Sequence, residues 1–388
     1  MTDADPLQSH LAEWPAERLQ AVFAKTSPAD VESAIHRAGS GEEISPHDFA
    51  ALLSPAAKGF LEPMAREAHR LTRRHFGRTI TLYAPIYLSN VCAADCLYCG
   101  FATGANARAK SGDTHQRLTL DEGGLRVECE ALAAEGFQTL LLVTGEAPSI
   151  VTADYLARSV EVAREYFPSV SVEVYSMTRA EYEKLVSSGL EGVTLYMETY
   201  DRGRYSEVHR KGRKKDYGAR LESLDRAGAA GVRKLNVGVL LGLFDWRLDG
   251  FWLGLHGRHL QKQWWRSAVA VSFPRLRHVP ARFSVPTPVG DADLVQLMLA
   301  LRLLLPEAGF TLSTRKSSGL RDRLIPLGVT QLSAGSSTRP GGYALCGSET
   351  LEQFAIEDRR RPSEVARAVA AAGYDPVWKD FDRAFIDP

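Results

Sequence analysis

Residues 79–101 read TITLYAPIYLSNVCAADCLYCGF and combine a strand pattern with a cysteine motif. The first ten of these residues, 79–88, are rich in β-branched and aromatic side chains, which is typical of a buried strand. Three cysteines, Cys92, Cys96 and Cys99, follow directly in the next loop. The sequence therefore predicts a strand whose C-terminal end carries three thiol groups to one rim of a sheet.

The spacing of these cysteines indicates an iron–sulfur cluster. The chain has only five cysteines in 388 residues, so three of them in one short loop are not a chance arrangement. A four-iron cluster is saturated by four cysteines, and three leave one iron open for another ligand. The alternative is a structural zinc site with a distant fourth ligand. Such sites usually pair two short knuckles, whereas Cys129 and Cys346 are isolated.

The composition is that of an ordinary soluble globular protein, with 45% hydrophobic and 24% charged residues. Basic and acidic residues number 47 each, so we expect no general attraction for nucleic acid or for an anionic membrane. The acidic, polar N-terminus lacks the features of a signal peptide, and no apolar run is long enough to predict a membrane span. An odd number of cysteines, three of them clustered, points to a reducing cytoplasm.

Strand patterns alternate with helical patterns along the middle of the chain, which implies parallel strands joined by right-handed crossovers. Eight such units over about 260 residues predict an α/β fold, a (β/α)8 barrel of the TIM type. A doubly wound open sheet is the alternative, because the number of strands does not prove closure. The predicted strands are 79–88, 137–144, 169–175, 192–197, 234–241, 268–273, 310–314 and 329–333.

The chain divides into three predicted parts. Residues 1–78 form a helical N-terminal extension, residues 79–339 form the barrel, and residues 340–388 form a short C-terminal tail with one helix at 363–372. In the extension, three serine–proline pairs predict helix starts, because serine caps free amide groups and proline suits the first helical position. These pairs begin at Ser27, Ser45 and Ser54, and the third helix is expected from about residue 56 to residue 75.

Polar side chains gather at the predicted C-terminal ends of the strands, where barrel enzymes place their chemistry. Arginines on one rim suit a carboxylate, and glutamates suit an ammonium group or ribose hydroxyls. The basic run 209–215, after the fourth strand, is interpreted as a solvated surface. The rim residues in chain order are Thr144, Gly145, Glu146, Glu173, Glu198, Arg275, Arg277, Arg315, Ser333 and Ser336.

The cysteine motif, with an aromatic residue before its last cysteine, resembles the signature of the radical S-adenosylmethionine (SAM) superfamily. The resemblance implies that Cys92, Cys96 and Cys99 hold a [4Fe-4S] cluster whose open iron chelates SAM. One electron from such a cluster splits SAM into methionine and a 5′-deoxyadenosyl radical. The resemblance also implies that Tyr98 lies beside the adenine, and that residues 144–146, which end in Glu146, hold the SAM amino group. Glu173, Glu198 and Arg275 complete the predicted cofactor-binding set.

Within that superfamily, the chain resembles the 2-iminoacetate synthases, which are tyrosine lyases of thiamine thiazole biosynthesis. The reaction implied is cleavage of the Cα–Cβ bond of L-tyrosine to p-cresol and 2-iminoacetate. The favoured site of hydrogen abstraction is the amino group. The matching stretches are distributed along nearly the whole chain, at 51–57, 87–92, 140–146, 271–277, 313–315, 321–327, 340–343 and 376–380.

The same resemblance assigns roles in substrate binding. Arg315 would hold the tyrosine carboxylate, helped by Ser333 and Ser336. Arg275 and Arg277 would either add to that anchor or bind the SAM carboxylate. The implied partners are a thiazole synthase (ThiG), which receives the imine, and an electron donor such as flavodoxin.

Two positions depart from the family pattern. Met197 stands where glutamine is usual, which predicts the loss of a polar contact to SAM or substrate. Lys316 stands where glutamate is usual, next to the proposed carboxylate anchor. The alternatives are a related lyase acting on tryptophan and a hydrogenase-maturation tyrosine lyase. The second would need further cysteines beyond Cys346. A scaffold or sensor without catalysis would not need the ring of rim charges.

Overall fold

The computed structural model describes residues 6–103, 117–277, 279–280, 283–345 and 350–379. Cys346 and the last residue of the stretch 376–380 lie outside them.

Three 3-10 helices accompany the α-helices in these residues, at Pro55–Phe60, Arg213–Lys215 and Ile325–Leu327. The α-helices, α1 to α15 in chain order, are Pro6–Ala12, Ala16–Lys25, Pro28–Ser40, Pro46–Leu53, Leu61–Phe76, Glu122–Ala134, Ala153–Arg164, Arg179–Ser187, Arg202–Val208, Tyr217–Leu221, Ser223–Ala229, Trp246–Gln263, Asp291–Leu304, Ser318–Leu324 and Pro362–Ala371.

The strands form a closed parallel barrel. Neighbouring strands from β1 to β8 pair in sequence order, and β1 pairs with both β2 and β8, which closes the sheet. Closure confirms the barrel and excludes the open doubly wound sheet. The strands, β1 to β9 in chain order, are Thr79–Ser89, Thr139–Thr144, Ser169–Glu173, Gly192–Glu198, Lys234–Val239, Ala268–Ser272, Gly309–Leu312, Gln331–Ser333 and Asp375–Val377.

All eight predicted strands are present, with ends that differ by at most two residues. The strand β9 was not predicted. It is only three residues long and pairs in parallel with Thr79–Thr81, at the beginning of β1. The hydroxyl of Thr139 donates a hydrogen bond to the carbonyl of Trp378 at 3.1 Å, so the end of this segment also contacts β2. The C-terminal part of the chain therefore contributes to the sheet.

Two of the three predicted helix caps are confirmed. Ser27 and Ser45 each accept a hydrogen bond from the backbone amide three residues on. The aspartate at that position accepts a bond from the backbone amide of the serine, which completes a capping box. The cap at Ser54 is wrong. Its hydroxyl donates backward to the carbonyl of Ala51 at 2.8 Å, and a 3-10 turn precedes the helix Leu61–Phe76.

The N-terminal helices pack directly on the outer helices of the barrel. The rings of Phe49 in α4 and Phe251 in α12 are stacked with centroids 5.6 Å apart. The buried amide of Gln296 in α13 donates to the carbonyls of Leu52 and Ser54. Such buried apolar and hydrogen-bonded contacts make the N-terminal helices part of one continuous core. In the described part of the chain, no helix combines the length and apolarity needed to cross a membrane.

Candidate active site

The cysteine loop lies at the C-terminal end of β1, as predicted. Cys96 is buried, Cys92 and Cys99 are partly buried, and none of the three is in a disulfide. Burial raises the pKa of the Cys99 thiol to about 11 and also raises the pKa of Cys92 and Cys96. Buried thiols of this kind become thiolates when a metal centre replaces their protons. This donor set fits the three-cysteine side of a [4Fe-4S] cluster.

The single-zinc alternative has no support in the geometry. Among the residues that the structure describes, no three His, Cys, Asp or Glu side chains are gathered closely enough to hold one metal ion. A tetrahedral zinc site needs four such ligands at bonding distance. Thiols spread along a loop suit a larger multi-iron cluster.

The end of β2 is joined to the cysteine loop by its backbone. The amide of Gly145 donates to the carbonyl of Ser89 at 2.9 Å, and the amide of Ala93 donates to the carbonyl of Glu146 at 2.7 Å. Gly145 has no room for a side chain, because an added Cβ would overlap the carbonyl of Val91. Three predicted cofactor residues, Thr144, Gly145 and Glu146, therefore lie against the cysteines.

A first cavity, which we call the cysteine-side cavity, opens beside the loop. It brings together most of the predicted cofactor residues with both arginines that follow β6. Its lining includes Cys96, Tyr98, Cys99, Glu173, Glu198, Lys214, Arg275, Arg277 and Arg315. The two arginines after β6 have protein partners. Arg275 pairs with Asp291 at 2.7 Å, while Arg277 contacts both Asp291 and Glu357.

A second cavity, the inner cavity, lies toward the barrel interior. It contains the predicted substrate anchors Arg315, Ser333 and Ser336, together with Lys316. The Nε atom of Arg315 and the hydroxyl of Ser336 are buried and make no hydrogen bond with the described residues. The hydroxyl of Ser333 instead accepts a bond from the amide of Thr314 at 3.1 Å. Arg315 and Ser336 are therefore the groups available to a ligand.

Four residues border both cavities: Glu173, Tyr196, Arg315 and Phe354. Burial raises the pKa of Glu173 to about 7, although Arg315 opposes this shift. Burial lowers the pKa of Lys316 to about 7, and the neighbouring arginines add to the effect. Two groups with displaced pKa values thus lie on either side of the arginine.

A larger cavity lies at the opposite, N-terminal end of the barrel. It is lined by residues such as Thr79, Thr139, Lys234 and Gly309, and by none of the predicted site residues. The cysteines and the rim charges are at the C-terminal end, where barrel enzymes place their chemistry. We therefore assign the active site to the two cavities at that end.

The departures at positions 197 and 316 have different surroundings. Met197 is buried in the apolar core and lines neither of the two cavities, so the predicted loss of a polar contact has no support there. Lys316 lines the inner cavity and is almost fully buried. The sequence departure that bears on the site is therefore Lys316.

Sequence reasoning missed two segments of the site wall. The segment 350–358 lies across the strand ends, since Gln353 accepts from the Tyr87 hydroxyl at 2.6 Å and from the Gly100 amide at 3.0 Å. The basic run 209–215 was wrongly interpreted as wholly solvated. His209 is fully buried and Lys214 lines the cysteine-side cavity. Neither segment carries a periodic signal that predicts these contacts.

Comparison with known proteins agrees with this geometry. Residues 86–251 match the radical SAM superfamily, and residues 272–375 match the Biotin and Thiamin Synthesis associated domain. The second match crosses residue 339, where the sequence analysis ended the barrel, and the division of the chain at residues 78 and 339 stays a prediction.

Similar proteins cover nearly the whole chain. The 2-iminoacetate synthases of Salmonella typhimurium and Escherichia coli are each 44% identical over 371 residues, which is 95% of this chain and 94% of theirs. The crystal structure of HydG, a maturase of the [FeFe]-hydrogenase, is 30% identical with a TM-score of 0.85, covering 94% of this chain and 80% of that one. The chain therefore belongs to the family of 2-iminoacetate synthases, radical SAM lyases that carry a [4Fe-4S] cluster and use SAM.

Proposed function

We propose that this chain cleaves the Cα–Cβ bond of L-tyrosine to give 2-iminoacetate and p-cresol. The observation that carries the proposal is the position of Arg315, which borders both the cysteine-side cavity and the inner cavity. A carboxylate bound by Arg315 would leave the amino-acid backbone near the cysteine side and the aromatic ring on the inner side. That arrangement suits hydrogen abstraction at the amino group.

The chain's own residues would bind and orient the substrate. The guanidinium of Arg315 offers its free Nε–H to the carboxylate, and the hydroxyl of Ser336 is available beside it. Glu173 has a pKa of about 7, so its carboxyl group can take up or release a proton next to the substrate amine at neutral pH. When bound, the cluster and SAM supply the 5′-deoxyadenosyl radical that removes the hydrogen atom.

The substrate ring would lie among hydroxyl groups. The inner cavity is lined by Tyr83, Tyr196, Ser272 and Thr311, which offer polar partners to a phenol. Phe354 and Gln353 close the outer side, which favours the exclusion of water from a reactive radical. A phenol-bearing substrate therefore fits this lining better than a wholly apolar ring would.

The proposal includes two partner proteins and a cellular location. The imine product would pass to a thiazole synthase (ThiG) for assembly of the thiamine thiazole. A reductant such as flavodoxin would supply the electron that cleaves SAM, and a second electron that, with a proton, converts the released 4-hydroxybenzyl radical to p-cresol. We place the protein in the cytoplasm, since four cysteines of the described chain are free thiols and a reducing compartment preserves them.

The proposal is tested by anaerobic reconstitution of the cluster, followed by incubation with SAM, a reductant and tyrosine. We expect p-cresol and 5′-deoxyadenosine in equal amounts. Parallel reactions with tryptophan and phenylalanine test the substrate class, and Cys96→Ala should abolish SAM cleavage. Formation of 5′-deoxyadenosine from SAM in the presence of tryptophan, without p-cresol from tyrosine, would overturn the substrate assignment. Survival of SAM cleavage in Cys96→Ala would overturn the assignment of Cys96 as a cluster ligand.

A variant of Arg315 tests whether this residue binds the tyrosine carboxylate. Arg315→Gln should raise the KM for tyrosine by about 10- to 150-fold, since a charge-assisted hydrogen bond contributes about 1.5–3 kcal/mol. Cluster content should not change, because Arg315 makes no contact with the cysteines. An unchanged KM would remove Arg315 as the carboxylate anchor.

A further inference from the structure

The segment 208–214 is paired with the cysteine loop. The amide of Leu97 donates to the carbonyl of Val208 at 3.1 Å, and the amide of Arg210 donates to the carbonyl of Asp95 at 3.2 Å. These bonds flank an antiparallel bridge between Cys96 and His209. The backbone that carries the middle cysteine is therefore held by a segment more than a hundred residues away.

Side chains reinforce this pairing. The hydroxyl of Tyr98 and Nε2 of His209 are hydrogen-bonded at 2.8 Å, His209 being buried and Tyr98 partly buried. Gly212 has a left-handed φ of 77°, and a Cβ at this position would press on the backbone of Ala94. A glycine is required here because the two segments approach so closely.

Lys214 contacts three predicted cofactor residues, two through its ammonium and one through its backbone amide. Its ammonium lies 2.7 Å from a carboxylate oxygen of Glu198, and its backbone amide donates to Glu146 at 2.6 Å. The same ammonium lies 5.9 Å from the centroid of the Tyr98 ring. The carbonyl of Lys214 accepts a bond from the buried Tyr205 hydroxyl at 2.6 Å, which fixes the lysine backbone.

Glu198 has an unusual backbone conformation and a buried charge, and both require a stabilising partner. It is the one non-glycine residue with a positive φ in the described chain, at 69°, and it lies where the pairing of β4 with β5 shifts register. A non-glycine residue in this conformation is strained unless its surroundings hold it. Burial opposes its charge, but Lys214 and then Arg220 outweigh burial and keep the pKa of Glu198 below its ordinary value. Arg220 is more distant, at 3.9 Å.

We propose that Lys214 is a positioning residue of the cofactor site, which fixes the carboxylates of Glu198 and Glu146 and places a positive charge beside the cysteine cluster. This inference does not depend on the identity of the substrate. A cation near the cluster stabilises its reduced, more negative state by Coulomb attraction. Loss of the cation should therefore make the cluster harder to reduce. Loss of the ammonium contact with Glu198 should weaken SAM binding, whereas the backbone bond to Glu146 is retained in any Lys214 variant.

The test compares Lys214→Met with Lys215→Met. Lys215 is the next residue of the same 3-10 turn and is exposed, so it is a matched control. Both variants are reconstituted anaerobically, and iron content and circular dichroism establish that they fold and bind the cluster. The readouts are the midpoint potential of the cluster, the change in its electron paramagnetic resonance signal on addition of SAM, and the dissociation constant for SAM.

We expect Lys214→Met to lower the midpoint potential and to weaken SAM binding by about tenfold or more, as for loss of a charged hydrogen bond. Lys214→Arg should restore the potential, because it keeps the charge. Lys215→Met should behave as the unmodified protein.

Equal potentials and equal SAM affinities in the two methionine variants would overturn the proposal. These readouts involve no tyrosine, so they are independent of the proposed reaction. If Lys214→Met fails to bind iron, Lys214→Gln removes the charge with a polar side chain, and its comparison with Lys214→Arg, which keeps the charge, tests the same expectation.

Discussion

The guanidinium carbon of Arg315 lies 3.3 Å from the centroid of the Phe354 ring. This contact joins the proposed substrate anchor, which follows β7, to a segment that lies across the mouth of the barrel. Among the described residues, no carboxylate forms an ion pair with Arg315 within 4 Å, and the cation is stacked on the ring, so its charge stays available to a ligand. The same segment is held to β1 through the bond between Tyr87 and Gln353.

Phe354→Ala should therefore impair tyrosine binding more than SAM binding. A cation–π contact contributes about 0.5–2 kcal/mol, so we expect the KM for tyrosine to rise by about 2- to 30-fold. The opened wall should also increase formation of 5′-deoxyadenosine without p-cresol. Phe354→Tyr retains an aromatic face and should remain close to the unmodified protein. Identical product ratios in Phe354→Ala and Phe354→Tyr would show that the ring does not orient Arg315.

Gly145→Ala should disrupt the cysteine loop. The new Cβ would overlap the carbonyl of Val91 and lie 3.1 Å from the Cβ of Cys92, so the backbone of the cysteine loop would have to shift. We expect a severalfold loss of bound iron after reconstitution, measured by iron and sulfide analysis. Gly59→Ala is the control, because a Cβ there meets no atom within 4 Å. Normal iron content in Gly145→Ala would mean that the loop accommodates the methyl group.

Lys316 should make stability depend on pH. Burial and the nearby arginines lower its pKa to about 7, whereas an unfolded lysine titrates at about 10.4. Between these values the unfolded chain binds a proton that the folded chain lacks, so the contribution of Lys316 to stability rises with pH across this window. The free-energy cost of burying the charged amine of Lys316 is fully present at and below about pH 7, where the amine carries its proton in the folded state.

Lys316→Met removes that cost. The gain in unfolding free energy should be greatest at and below about pH 7 and should diminish toward about pH 10. Urea unfolding of the apoprotein in anaerobic buffers measures it, with exposed Lys25→Met as the control. A gain that does not change with pH would contradict the lowered pKa.

Glu128 should stabilise the segment that follows the turn at Gly341 and Gly342. Its buried carboxylate accepts hydrogen bonds from the amides of Tyr343, Ala344 and Leu345, at distances from 2.7 to 3.2 Å. Glu128→Ala leaves these amides without their acceptor, which costs about 1–3 kcal/mol. We expect faster amide hydrogen exchange and faster proteolysis within residues 341–345. The exposed Glu130→Ala on the same helix should have no such effect, and equal exchange in both variants would contradict this role.

Much of the site was predictable because its residues lie in local patterns. The spacing of Cys92, Cys96 and Cys99 is local, and the rim residues come directly after strands whose alternation with helices is legible in the sequence. The two capping boxes at Ser27 and Ser45 were predictable for the same reason. Ser54 failed because its hydroxyl had a competing acceptor one turn earlier, the carbonyl of Ala51.

Lys214 and Phe354 could not be found in this way. The bond between Tyr98 and His209 joins residues 111 positions apart, and the bond between Tyr87 and Gln353 joins residues 266 positions apart. Periodicity reports which face of an element is apolar, but it does not report which distant segment will cover a site. The basic run therefore looked like a solvated surface until the position of its buried members was known.

The sequence by itself determined the alternation of strands and helices, the cysteine loop after the first strand, and the polar residues at the strand ends, because each depends on neighbours along the chain. Only the tertiary structure decided that the barrel closes, that Arg315 borders both cavities, and that Lys214 lies between Glu146 and Glu198. Those relationships arise when distant segments bury their side chains against one another, and long-range packing of that kind leaves no repeating mark in the sequence.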